Sequence, residues 1–250
     1  MLPEAQERFN LRISSELLLS PVFDALKSAL RSQNEKARSN FEIDAMYSGD
    51  SGTINWINGS SYGELEVSLL DDDLLERLGS IGDFDVNVKV KASDKDHVDG
   101  NYAWSTNTSI DDDLGGIELS ITIPLDDILR EKTMNHLFRW ARGVMAHEFQ
   151  HMIQRVIHKR NLDPKSRDDI VSHIKDPDEV DARVEEILAY SEKELSYLDV
   201  DNFENALIDQ IDDYLTRNGV LKEDENYLKW KNEMIDSHLI RFREKFELWG

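Results

Sequence analysis

Apolar residues recur along this chain at two different periods, and the change from one to the other divides it. From Ser15 to about Arg38, Leu18, Leu19, Val22, Phe23, Leu26 and Leu30 stand at helical intervals, with Pro21 at a boundary or first turn. Ser48 to Gly63 is rich in Gly, Ser and Asn instead, and short β-type runs, Thr53 to Ile57 and Leu65 to Leu69, lie between turn signals. Asp73 to Leu78 fits a short helix. Phe84 to Val90 (FDVNVKV) alternates apolar and polar residues over a full strand length. Ile117 to Ile123 (IELSITI) does the same, opened by Gly115 and Gly116 and ended by Pro124. These runs predict a small sheet.

Beyond Pro124 the period becomes helical. Met134, Leu137, Phe138, Ala141, Val144, Met145, Met152 and Val156 form one stripe that runs out near His158. Lys159 to Ser172 is polar, contains Pro164 and reads as a loop, and a second helix starts near Asp176-Pro177-Asp178. Proline suits a first helical turn, and acids suit the positive end of a helix. From Ser196 the pattern is helical again through Phe203, Leu207, Ile211 and Leu215, with a stop at Asn218-Gly219. It resumes from Tyr227 to Trp249 with Trp230, Met234, Ile235, Phe242 and Phe246. The expected fold class is α+β, a small N-terminal sheet followed by a helical C-terminal half. The expected organisation is a helical segment over residues 1–45, a core over 46–195 and a C-terminal helical extension over 196–250, or one continuous domain.

Composition narrows the partners. The formal net charge of -22 and pI near 4.6 would repel nucleic-acid phosphate and anionic membrane surfaces while attracting cations, metals and basic protein segments. No nucleic-acid or membrane partner is therefore expected. The absence of cysteine removes disulfides and thiolate zinc sites, so any metal site must use His, Asp or Glu. The first residues lack a basic start followed by a continuous apolar core, and no run approaches the ~18 apolar residues of a membrane span. A soluble, cytoplasmic protein is the expectation.

Acidic clusters are abundant, and most need no special chemistry. Ser93 to Gly100 (SDKDHVDG) has the acids of a calcium loop but not its register: counted from Asp94, the closing acid would fall at Ser105. It reads as a solvated turn. The Asp runs at 71–73 and 111–113 read as a helix cap and a loop.

Ala141 to Met152 (ARGVMAHEFQHM) is different, because it contains HExxH as His147, Glu148 and His151. On a helix, residues four apart are rotated by only about 40° and displaced by about 6 Å, so two imidazoles can meet one ion. Glu148 lies beside the pair, where a carboxylate can accept a proton from water rather than bind the metal. A catalytic zinc takes a third protein ligand. Glu179 has Ala182 on its own helix face, which would let the second helix approach closely; Asp181 is the competitor, rotated by about 200° from Glu179. Glu185 and Glu186 read as solvated helix charge. His173 and Tyr190 are candidate oxyanion stabilisers by residue type only, with ordinary packing the expected role of Tyr190, while His136 and His158 lie too far along the helix to share the ion.

At these residues the chain resembles the gluzincin branch of the zincin metallopeptidases, in particular compact phage and bacterial types with an ExxA element. The resemblance covers Ile117 to Tyr190 and rests on His147-Glu148-Phe149-Gln150-His151 and on Glu179-Val180-Asp181-Ala182. It implies a zincin-like fold, a Zn2+ cofactor held by His147, His151 and Glu179, Glu148 as general base, and a peptide or protein substrate. The chain departs from many gluzincins at Arg183, where they carry an Asp that steadies a ligand histidine. Were Asp181 the ligand, Glu185 would occupy that place.

The expected function is a zinc-dependent metallopeptidase; the strand at Ile117 to Ile123 either presents its edge to an extended peptide or is a plain half-buried strand. The alternative is a non-catalytic acidic protein-binding module, a nucleic-acid mimic or zincin-like scaffold, which the charge would serve.

Overall fold

The structure, a computed structural model, describes residues 19–20, 22–24, 27, 42–48, 53–58, 61–66, 84–93, 96–103, 115–124, 131–156, 176–191, 205, 207–209, 211–212, 215–216, 222–223 and 227–247. Strands β1 (Glu42–Ser48), β2 (Thr53–Asn58), β3 (Ser61–Glu66), β4 (Phe84–Ser93), β5 (His97–Ala103) and β6 (Gly115–Pro124) form one six-stranded sheet in the order β3-β2-β1-β4-β6-β5. Neighbours are antiparallel except β4 and β6, which run parallel. Three long helices follow: α1 (Glu131–Val156), α2 (Pro177–Ser191) and α3 (Tyr227–Glu247). The protein is a mixed α+β protein. No described helix is long and apolar enough to cross a membrane.

Strict alternation decides which face of the sheet is buried. Ile43 and Ala45, Val86, Val88 and Val90, Val98 and Tyr102, and Ile117, Leu119, Ile121 and Ile123 are all buried. Their register places Val88 beside both Ala45 and Leu119, so the apolar side chains form a continuous surface. Lys89, Lys91, Glu118 and Ser120 point the other way, and a slip of one residue would exchange the two sets. Helix α1 lies on the apolar face against β5 and β6, and Leu19, Val22 and Phe23 join the same core. The rings of Phe23 and Phe138 meet edge to face, 5.2 Å between centroids. The sheet itself begins at Glu42, upstream of residue 46.

Helix α2 packs on α1, and α3 packs on α2. The middle of α1 is therefore covered from two sides, and every residue from 141 to 150 is buried. Gly143 permits the crossing: a Cβ there would lie 3.0 Å from the Glu186 carbonyl oxygen and 3.4 Å from Cβ of Tyr190. Ala182 is buried as well.

Two expectations are overturned. His97 to Gly100 is not a solvated turn but the first half of β5, and Ser93 ends β4. Only Val98, Gly100 and Tyr102 face inward, and with glycine in the middle the apolar alternation is too sparse to read as a strand. The run Ile117 to Ile123 does not offer an edge either: β6 is hydrogen-bonded to β4 on one side and β5 on the other. The edge beside α1 belongs to β5. Among the shorter readings, β3 covers Leu65 but ends at Glu66. Residues 67–69, Asp73 to Leu78, the Asp run at 111–113, Lys159 to Ser172 and Asn218-Gly219 lie outside the described residues.

The contact between α2 and α3 carries a pH dependence. His238 on α3 is buried and donates from Nδ1 to the Met234 carbonyl at 2.7 Å. Burial lowers its pKa to about 4; the bond to Met234 opposes this, the Arg183 charge adds to it, Glu186 counters and His147 adds a little more. An unfolded histidine titrates near 6.5, so between these values the unfolded chain binds more protons. Stability from this group is present above pH 6.5 and is lost as pH falls toward 4. Wild-type protein is expected to lose on the order of 3 kcal/mol from this residue between pH 7 and 4, a loss that His238→Gln should not show in denaturant unfolding across that range.

Candidate metal site

His147 and His151 stand one turn apart on α1, and Glu179 stands in the first turn of α2. The start of α2 is set locally: Asp176 accepts at Oδ1 from the Asp178 N–H at 3.0 Å and at its carbonyl from the Val180 N–H at 2.9 Å, with Pro177 between them. This cap directs the Glu179 carboxylate toward the histidines. Its Oε2 lies 3.5 Å from Nε2 of His147 and its Oε1 lies 3.4 Å from Nε2 of His151. The two Nε2 atoms are 3.1 Å apart. One ligand atom from each of the three residues falls within 4.8 Å of the others. Asp181, buried and two residues on, is not in this group.

The outer nitrogens explain why the inner ones converge. Nδ1 of His147 lies 3.1 Å from Oε2 of Glu186, and Nδ1 of His151 lies 2.9 Å from Oε1 of Gln154. Both partners are acceptors, so each ring holds a proton on Nδ1, and a ring that is neutral directs a lone pair from Nε2 into the cluster. Two lone pairs and a carboxylate then face one another across a few ångströms, an arrangement that repels itself unless positive charge sits between them. A proton on the His147 ring meets this demand, and its Nε2 then donates to Glu179. Burial by itself lowers the pKa of His147, but the hydrogen bonds to Glu179 and then Glu186 outweigh it and raise the value to about 10. Burial likewise works against charge on Glu179, yet hydrogen bonds from both histidines hold its carboxyl well below the usual range.

Glu186 is a residue that the sequence pattern misassigns. It is not solvated charge: it is buried, and so is Glu185. Arg183, at the position where the resemblance expects an acid, donates to Oε2 of Glu186 at 2.8 Å. Burial would raise the Glu186 pKa, but the Arg183 charge and the His147 hydrogen bond bring it down to about 2. The acid that steadies His147 thus comes from two helical turns beyond Glu179, and Arg183 holds it. The helical spacing of 179, 183 and 186 was a usable signal; that α2 is covered on both sides was not.

Glu148 is buried against β5. Burial raises its pKa above the usual carboxylate range, the nearby histidines offset part of the rise, and Glu179 and Glu186 add to it. Gly100 makes the approach of strand to helix possible: a Cβ there would lie 2.5 Å from Cγ1 of Val144 and 3.0 Å from Cγ of Glu148. Arg155 secures the far end of the contact, donating to the Tyr102 hydroxyl at 3.2 Å. Gly100→Ala is therefore expected to destabilise the protein by about 1–3 kcal/mol through overpacking. Adding Val144→Ala removes the nearest atom, and thermal melts of the single and double variants should show most of that loss recovered.

Tyr190 packs against α1 instead of meeting the cluster's ligand atoms. It meets His136, with its hydroxyl 3.3 Å from Nδ1, and Arg139 lies over its ring, toward the opposite end of α1. His136 packs on Tyr190 and Trp140, away from the cluster. His173 and His158 lie outside the described residues.

Fold and site together define a mixed α+β protein with a His-His-Glu group that can hold a metal ion. No family model matches the chain, and neither does any curated protein or any solved structure.

Proposed function

We propose that the protein is a zinc-dependent metallopeptidase with a zincin-like core, in which His147, His151 and Glu179 hold the metal and Glu148 is the general base. The observation that carries this reading is the convergence of two imidazole Nε2 atoms from one helix with a carboxylate from another, three groups of the types that ligate zinc. Two histidines and a glutamate are a donor set of catalytic zinc, which leaves a fourth position open. Bound there, zinc supplies Lewis acidity, making water a stronger acid and polarising a substrate carbonyl.

The chain's own residues do the rest. Glu148 takes one proton from water as the water oxygen bonds to the carbonyl carbon, then gives that proton to the amine nitrogen as the C–N bond breaks. Its raised pKa suits both halves of the exchange, since a weaker acid is a stronger base. Glu186 and Gln154 hold the histidine rings in the tautomer that leaves Nε2 available. Strand β5, which has no partner on its outer side among the described residues and touches Glu148 at Gly100, is the edge to which an extended peptide adds. An acidic binding module would account for the charge of -22 but leaves the converging groups unexplained.

The test is metal and activity together. Purified protein should carry or take up one zinc per chain, cleave an unfolded protein substrate, lose cleavage on chelation and regain it when zinc is restored. Wild-type protein that neither carries nor binds zinc ends this reading.

A further inference from the structure

Polar side chains on α1 do not stop at the histidines. Gln154 lies one turn past His151, so His147, His151 and Gln154 follow one another along one face. Its exposure is 0%, and an amide so placed is costly unless both of its ends are satisfied. Both are. Oε1 is 2.9 Å from Nδ1 of His151, and Nε2 donates to the Asp178 carbonyl at 2.9 Å. Asp178 is joined directly to Glu179, so this one side chain reaches from the second histidine to the turn that carries the carboxylate.

We infer that Gln154 is a positioning residue that sets His151 and Glu179 relative to each other for metal binding. The inference rests on the metal reading above and deepens it. An amide has one accepting end and one donating end. The Asp178 carbonyl can only accept, which turns the NH2 group toward it and leaves Oε1 for His151. Oε1 can only accept as well, so His151 carries a proton on Nδ1, and the neutral ring that a metal needs turns its Nε2 lone pair toward His147 and Glu179. A carboxylate at this position would satisfy His151 but repel the carbonyl; an apolar side chain would do neither. Gln154 thereby selects a tautomer on α1 and ties down the first turn of α2. The arrangement is distinct from that at His147, whose partner Glu186 is charged and is held by Arg183.

The experiment measures zinc(II) affinity by competition with a chromophoric chelator for wild type, Gln154→Leu and Gln154→Glu. It adds an imidazole nitrogen–proton NMR correlation of the zinc-loaded wild type. Gln154→Leu is expected to bind zinc about 10–100-fold more weakly than wild type. Gln154→Glu, which keeps the acceptor for His151 and loses the donor to Asp178, should fall between the two. The wild-type spectrum should show His151 protonated at Nδ1. A folded Gln154→Leu protein that binds zinc within about threefold of wild type overturns the inference, given that outer partners of this kind typically matter ten- to a hundredfold; so does a His151 proton on Nε2. Should Gln154→Leu fail to fold, Gln154→Glu and the spectrum decide, and a Gln154→Glu affinity equal to wild type overturns it. Wild-type protein that takes up no zinc defeats the metal reading instead, which separates the two failures.

Discussion

Glu179→Ala is expected to weaken zinc binding by roughly a thousandfold, whereas Asp181→Ala and Asp181→Asn keep the wild-type affinity. The two acids are only two residues apart on α2, which turns them about 200° from each other, so a regular helix cannot aim both at one ion. The structure brings the Glu179 oxygens to 3.4 and 3.5 Å from the histidine Nε2 atoms. Zinc sites built wholly from protein ligands have apparent binding free energies of about 10–16 kcal/mol, so one ligand of three carries roughly 4 kcal/mol. At about 1.4 kcal/mol per decade, that is a loss of roughly a thousandfold in affinity. Asp181 is buried, and its replacement will cost stability that surface acids would not. The asparagine variant keeps its shape, and zinc affinity measured on folded protein separates the two effects. Zinc retained by Glu179→Ala and lost from Asp181→Asn would transfer the ligand role to Asp181.

Glu148→Gln should leave zinc in place and remove cleavage. The amide keeps the size and burial of the carboxylate beside Gly100 but cannot accept and return a proton. General acid and base catalysis is worth about 10²–10⁴ in rate, and kcat should fall by at least that much while the metal content stays at wild-type level. The pH profile adds a sign. Cleavage needs Glu148 ionised at the start, so activity is lost as pH falls through its pKa. Burial first, and then the carboxylates of Glu179 and Glu186, place that limb above the ordinary carboxylate range despite the opposing histidines. Glu148→Gln protein with residual activity should lack this limb. Cleavage at the wild-type rate would remove Glu148 from the mechanism without touching the metal site.

Local periodicity by itself determined several parts of the protein. The alternation in Phe84 to Val90 and in Ile117 to Ile123 depends only on which side chains a pleated strand turns to each face, and both runs are strands. The i, i+4 spacing of His147 and His151 on an apolar-striped helix dictates that their rings adjoin, wherever that helix packs. Asp176 and Pro177 placed the start of α2 within a residue, because a cap and a first-turn proline act through neighbouring atoms.

Tertiary structure alone decided the rest, since it rests on contacts between residues far apart in the chain. His97 to Gly100, the first half of β5, looks like a polar turn because the central inward position of the strand is glycine, and glycine is required only because Val144 and Glu148 arrive there from another element. The insertion of β6 between β4 and β5, which puts β5 at the end of the sheet among the described strands, leaves no mark on local pattern. Glu186 reads as solvated helix charge, and nothing in the local pattern singles out Gln154, until α2 lies against α1 and α3 covers α2. Burial then removes water as their partner, and what remains within hydrogen-bond reach is the outer nitrogen of each histidine.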